Sequence, residues 1–376
     1  MQKKIYITDY NAICNLGNNI DRIFENAAKD DTDFLTLDNK LIKGKEFYFG
    51  KINAELPIIE EENFNLRCNR LLLYLINSMQ KSISGLFSKY STDRIAVVTA
   101  TTNSGIDEYE QTHNPKHFGI GNPAVFIKNH LGLNNFYECI STACSSGIKT
   151  FSTAQKLLNK DICDAVIVAG VDSLAKLPVY GFHSLEVLSD KKSNPFSKNR
   201  NGINIGEAAA MFIIEKQGCG ICIKGTGETS DAYHAATPDP KGFEAANAIK
   251  NALKYANLSP DAIDYINLHG TGTIANDLME ANAIYSVFGG CTEASSTKPL
   301  TGHCLGAAAA LETALCCHVI KNQTVLPHIY DGEYDFSLPQ INLVTKAVKK
   351  DINNVLCTSF GFGGTNAAII LGRGND

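Results

Sequence analysis

Nothing in this sequence gives it a basic footprint. Across 376 residues, 39 acidic side chains outnumber 34 lysines and arginines, for a formal charge of −5, which argues against nucleic acid or an anionic membrane surface as the main partner. No stretch approaches the roughly 18 uninterrupted apolar residues of a membrane-inserting helix, and Met1 to Ile5 leads into a short strand, not a long apolar leader. Twelve cysteines are present without the spacing of a disulfide framework, so a reducing, cytoplasmic setting is expected. Cys219 and Cys222 form a C-x-x-C, but no second pair of ligands follows at finger spacing. They read as strand residues, and no metal site is expected. His113 and His117 flank Pro115, which denies them a common helical face, so they read as loop.

What is there is alternating α and β structure around a large core. Strands are expected at Lys4–Thr8, 93–101, 136–140, 164–170, Ala208–Glu215, 221–224, 263–268, 355–359 and 367–371. Helices are expected at 20–28, 66–86, 123–131, 148–158, 243–255, 274–288 and 304–320, with a polar surface loop over 29–45 and an ordered loop near the site over 189–206. The order of elements repeats. Ile95–Val98 matches Ile263–Leu268, the strand, turn and helix around Cys144 match those around His303, and the two strands that follow match the last two of the chain. We read two similar α/β units, residues 1–217 and 218–376.

The chain is organised around Ser141-Thr142-Ala143-Cys144-Ser145-Ser146-Gly147, where a β-prone run gives way to a helical pattern. The unpaired N–H groups of a first helical turn favour negative charge, so a thiol there is expected to lean towards thiolate. Its own N–H is placed to donate to a developing oxyanion. A buried structural cysteine is the bland alternative.

Two histidine motifs weigh against it. His269 and His303 both sit in Gly- and Thr-rich turns after strands, able to converge with Cys144 at one end of a paired sheet. One imidazole could serve as a general base for hydrolysis. Two neutral imidazoles suit holding an enolate oxygen while carbon dioxide leaves a carboxylated thioester. Lys298, five residues before His303, would add positive charge to that network.

With Thr142 to Ser146, Asn267 to Thr273, Ser295 to His303 and Ser359 to Asn366 in this order, the chain resembles the elongating β-ketoacyl-acyl carrier protein synthases. These are condensing enzymes of the thiolase-like fold, an α/β fold of two similar halves in a layered α-β-α-β-α architecture. The resemblance implies that Cys144 carries the acyl chain and that His269 and His303 bind malonyl thioester and assist its decarboxylation. Lys298 would support His303, and Glu312 would belong to the same buried network. The N–H groups of Cys144 and Phe362 would form the oxyanion hole, with Phe362 also the gate between acyl pocket and malonyl site. Thr271 and Thr273 would hydrogen-bond the phosphopantetheine arm, unless they only satisfy backbone groups of their turn. Phe360, Gly361 and Gly363 would line the substrate, the glycines letting backbone approach the thioester. The implied partner is acyl carrier protein, which brings its own phosphopantetheine, so no other cofactor is expected. The implied assembly is a homodimer, or a heterodimer with a related subunit.

Three departures from the family pattern, at Asp9-Tyr10-Asn11, Asn201 and Ala208–Ala210, leave the reactive groups intact while changing what were read as pocket-shaping segments. They favour a specialised polyene or polyketide-like pathway over bulk fatty-acid elongation. Two rivals remain. A degradative or priming thiolase-fold enzyme would lack the Ser295–His303 segment, and a non-catalytic chain-length subunit would typically lack the cysteine.

Overall fold

The computed structural model describes residues 4–29 and 33–374; residues 1–3, 30–32 and 375–376, which include part of the expected 29–45 loop, lie outside the described residues. Its centre is an eleven-stranded sheet. In chain order the strands are β1 (Tyr6–Cys14), β2 (Ile95–Ala100), β3 (Tyr137–Ile140), β4 (Ala165–Asp172), β5 (Ala208–Glu215), β6 (Gly220–Ser230), β7 (Tyr265–Asn267), β8 (Glu293–Ser295), β9 (Asn342–Leu343), β10 (Asn354–Gly361) and β11 (Thr365–Gly374). The apolar runs explain the centre. Every residue of β2, β4 and β5 is buried, as a sheet covered on both faces requires.

The strand order is β9-β8-β7-β10-β11-β6-β1-β5-β4-β2-β3. Outward from the β1–β6 seam, each side runs first, last, fourth, second, third in its own chain order, with β9 added at one edge. Each side pairs antiparallel twice and then parallel twice. The seam itself is short, Tyr6 opposite Cys222 and Ile7 opposite Ile221.

Helix α1 (Ser146–Asn159) follows β3, and α2 (Leu305–Asn322) follows β8 through the one-turn helix Lys298–Thr301. From Leu305 to Ile320 every residue of α2 is buried, because the helix packs on α1, β4, β5 and β10 at once. Small residues permit that closeness. A Cβ on Gly147 would lie 2.5 Å from the Ala310 backbone nitrogen.

Several expectations shift. The 66–86 helix is two, Arg67–Ser78 and Gln80–Lys89, broken at Met79, whose side chain is buried in the core. The first strand runs on to Cys14, so Asp9-Tyr10-Asn11 is sheet, paired with Ile213, Phe212 and Met211. β6 runs past Lys224 to Ser230 because its glycines are close-approach residues, not strand breakers: a Cβ on Gly227 would lie 2.0 Å from the Ala248 carbonyl of the helix Phe243–Ala256. Helices Ile106–Thr112 and Lys176–Ser184 were not expected. No helix of the described residues is long and apolar enough to cross a membrane.

Candidate active site

Between β3 and α1 the chain turns too sharply for ordinary backbone, and Ala143 takes a left-handed φ of 52°. That turn is tied down by hydroxyls. Thr142 N–H donates to Ser146 Oγ (2.8 Å), Ser145 Oγ donates to the Thr142 carbonyl (2.8 Å), and from the far side of the sheet Ser359 Oγ donates to the Cys144 carbonyl (2.8 Å) while Thr365 Oγ1 donates to the Thr142 carbonyl (3.0 Å). Cys144 is thereby held buried, its Sγ 2.9 Å from His303 Nε2.

The three reactive groups converge. Ligand atoms of Cys144, His269 and His303 all lie within 4.8 Å of one another, and the two imidazoles stand edge to face with centroids 5.3 Å apart. His269 leaves β7 in a turn clasped by Glu280, whose carboxylate accepts from the His269 and Gly270 N–H groups, each at 2.7 Å. Lys298 Nζ lies 3.2 Å from His269 Nδ1 and 2.6 Å from Glu312 Oε1. The lysine therefore bonds His269, not His303 as the resemblance implied, although its charge is felt at both rings. An ammonium at Nδ1 makes that nitrogen an acceptor and leaves the proton on Nε2.

Electrostatics correct one expectation. Burial pushes the Cys144 thiol up to about 12, against the pull of the Lys298 charge and of its own N–H, so desolvation outweighs the helix terminus and the resting group is a thiol. Burial, and then the nearby Lys298 ammonium, holds both histidines well below 6.5. Both rings are neutral at physiological pH. Burial raises Glu312, while Lys298 draws it back.

A cleft of about 260 Å³ leads to this cluster. Phe360, Gly361, Phe362, Gly363, Thr271 and Thr273 all line it. The two threonine hydroxyls lie 3.0 Å apart, and Thr273 Oγ1 also accepts from Asn276 N–H at the start of helix Ile274–Phe288, so Thr273 does cap its turn. A second cavity of about 220 Å³ opens on the other side, lined by Thr102, Asn103, Ile106, Leu177, Pro178 and Leu305. Cys144, Phe182 and Phe362 line both. The rings of Phe182 and Phe362 sit 5.5 Å apart at that junction. Gly364 lines the cleft too, and a Cβ there would point into protein, 2.0 Å from the Asp231 carbonyl.

Of the departures, only Asn201 lines the cleft. Asp9–Asn11 and Ala208–Ala210 are mid-sheet partners of β5 and of β1 and β4, so they do not shape it. Sequence reading missed Glu280 and Phe182, and gave no role of their own to Ser359 and Thr365, which lie within the fourth motif, Ser359 to Asn366. For Glu280 a signal existed, because Asp277 and Glu280 are buried carboxylates three residues apart near the start of the helix after the His269 turn, where side chains lean back towards the N-terminus.

Known proteins carry the same arrangement of elements. Residues 85–218 match the β-ketoacyl synthase N-terminal domain and residues 221–330 the β-ketoacyl synthase C-terminal domain. A chain from the complex of a ketosynthase with its chain length factor, from Xenorhabdus doucetiae, is 35% identical over 99% of this chain and 98% of its own, with a TM-score of 0.95. This chain belongs to the β-ketoacyl synthase family. Among synthase relatives, the 3-oxoacyl-[acyl-carrier-protein] synthase 2 of Coxiella burnetii is 36% identical over 62% of this chain and 61% of its own length. That of Staphylococcus aureus is 28% identical over 98% of both. The ishigamide ketosynthase/chain length factor, at 22% identity and a TM-score of 0.88, shares the fold.

Proposed function

We propose that this synthase performs a decarboxylative Claisen condensation, joining an acyl group held on Cys144 to malonyl-acyl carrier protein. The observation that carries the reading is the meeting of one thiol and two neutral imidazoles at the junction of two cavities. In the first step Cys144 Sγ attacks the acyl thioester, its proton passing to His303 Nε2 and on to the departing carrier thiolate. Malonyl thioester then enters the larger cleft. As carbon dioxide leaves, the enolate oxygen accepts from His269 Nε2–H, which Lys298 keeps a donor, and from His303 Nε2–H, the His303 proton having moved from Nδ1 to Nε2 after acylation. The enolate carbon attacks the acyl carbonyl, whose oxyanion sits at the N–H groups of Cys144 and Phe362. Collapse expels the Cys144 thiolate and leaves a 3-oxoacyl-carrier protein.

The smaller cavity takes the acyl chain, with Phe362 against Phe182 as the gate; Thr271 and Thr273 face the pantetheine arm. The carrier supplies phosphopantetheine, and the chemistry calls for no other cofactor. A related subunit is the partner we favour, on the 35% likeness to a chain of a ketosynthase complex with its chain length factor; a specialised pathway is favoured by Asn201, the departure that lines the cleft. Twelve unpaired cysteines fit a cytoplasmic setting. The division into halves 1–217 and 218–376 rests on the mirrored strand order and the boundary between the two matched domains.

The test supplies acyl- and malonyl-carrier protein to the purified chain, alone and with a related subunit, then follows product and the modified peptide by mass spectrometry. A 3-oxoacyl product with acyl on Cys144 is expected. No acylation and no product in either case would favour a chain-length subunit.

A further inference from the structure

Asp172, at the end of β4, is fully buried and its carboxylate accepts five hydrogen bonds from neutral groups. Thr101 Oγ1 (2.7 Å), Thr102 N–H (2.8 Å), Thr102 Oγ1 (3.0 Å) and Asn103 N–H (2.8 Å) come from the loop after β2, and Ala307 N–H (3.1 Å) from the first turn of α2. No ion pair to Asp172 occurs among the described residues, so these donors are what offsets the burial of its charge. Its neighbour adds a sixth strap, Asn103 Nδ2 donating to the Ser173 carbonyl at 2.7 Å. The anchored segments are walls of the smaller cavity, where Thr102, Asn103 and Leu305 stand beside Cys144.

We infer that Asp172 is a positioning residue that fixes the shape of the acyl cavity by tying the 101–103 loop to the start of α2, and so sets which acyl chains Cys144 accepts. This rests on the condensing reading above. The His269 side of the site hangs on Glu280 and Lys298 instead, so the two substrates have separate supports. An Asn at this position keeps the volume but offers one acceptor oxygen and turns an NH₂ donor towards groups that are themselves donors. The loop must then let go on one side.

The experiment compares wild type, Asp172→Asn and Thr101→Val in the full chain with its subunit partner, measuring Cys144 acylation by a short and a long acyl-carrier protein and, separately, malonyl-carrier decarboxylation without acyl donor. For Asp172→Asn the ratio of kcat/KM between long and short acyl donors is expected to move by about tenfold or more, the scale of a lost charge-assisted hydrogen bond. Decarboxylation should stay within about threefold of wild type. Thr101→Val removes the Thr101 strap to Asp172 and, with the same hydroxyl, the acceptor for the Asn103 and Ser104 N–H groups, while keeping the carboxylate and the cavity-lining side chains, and should move the ratio in the same direction. It keeps the inference testable if Asp172→Asn does not fold. Losses equal for both acyl donors and for decarboxylation, or an unchanged ratio in Thr101→Val, would overturn the inference. Absence of Cys144 acylation in wild type would overturn the condensing reading instead.

Discussion

His269 and His303 present neutral rings to the same thiol, yet they are held in opposite ways. His269 is clasped at its backbone by Glu280 and at Nδ1 by Lys298, so its tautomer is set from behind. His303 has its Nε2 on Cys144, while its buried Nδ1 finds no hydrogen-bond partner among the described residues. A ring with a fixed proton is suited to donating, and a ring whose proton is not fixed is suited to exchanging one with the thiol. The difference teaches that one residue type, used twice, gains two jobs from what stands behind each ring.

Single replacements should separate those jobs. His303→Ala is expected to slow both Cys144 acylation and malonyl decarboxylation, whereas His269→Ala should spare acylation and cost decarboxylation on the order of 10²–10⁴-fold. Transacylation and carbon dioxide release, assayed separately, check this, and the double variant should cost little more decarboxylation than the worse single one. Equal effects on acylation would erase the distinction.

A smaller effect comes through the support. Lys298→Ala strands Glu312, costing about 3–5 kcal/mol of stability, readable in denaturant titration. Lys298→Met combined with Glu312→Leu should recover most of that stability, since buried pairs trade nearly evenly for apolar packing. It should not recover decarboxylation, because His269 has lost its tautomer anchor.

The pH profile distinguishes the groups further. A thiol near 12 is protonated at neutrality, so alkylation of Cys144 by iodoacetamide should climb about tenfold per pH unit from pH 7 to 10 with no plateau. Both imidazoles titrate well below 6.5, so decarboxylation should be level between about pH 6 and 8. Loss of the Lys298 charge lets both rings bind protons more readily, moving the acid limb upward. An inflection near 6.5 in wild type would contradict this.

The smallest expected effect concerns a single strap on the thiol. Ser359→Ala removes one hydroxyl from the Cys144 carbonyl and should cost about 1 kcal/mol in stability, with acylation slowed more than decarboxylation.

The sequence made the reactive set legible because each member sits at a punctuated strand end, where small residues and a change of period mark the turn. It could not order the members. Whether Lys298 serves His269 or His303 depends on which ring turns its Nδ1 towards Nζ, and no spacing encodes that. The thiol's charge was misread for a related reason: helix position is local and visible in sequence, while the burial that outweighs it comes from strands and helices far along the chain. The same holds for β6, where glycines that punctuate loops elsewhere admit a helix, and for Asp9–Asn11, whose polar side chains hid a strand.

The glycine at 147 carries a further consequence. It lies three residues after the thiol, at the point where α1 meets the second turn of α2, and a methyl group there would push apart the helices that follow Cys144 and His303. Replacing it removes no reactive group, yet by displacing those helices it would separate the thiol from the imidazole, so activity and stability would fall together. The seam between the two helices therefore leaves no room for a side chain at position 147, whereas Leu177 in the cavity wall is exposed and has room to change.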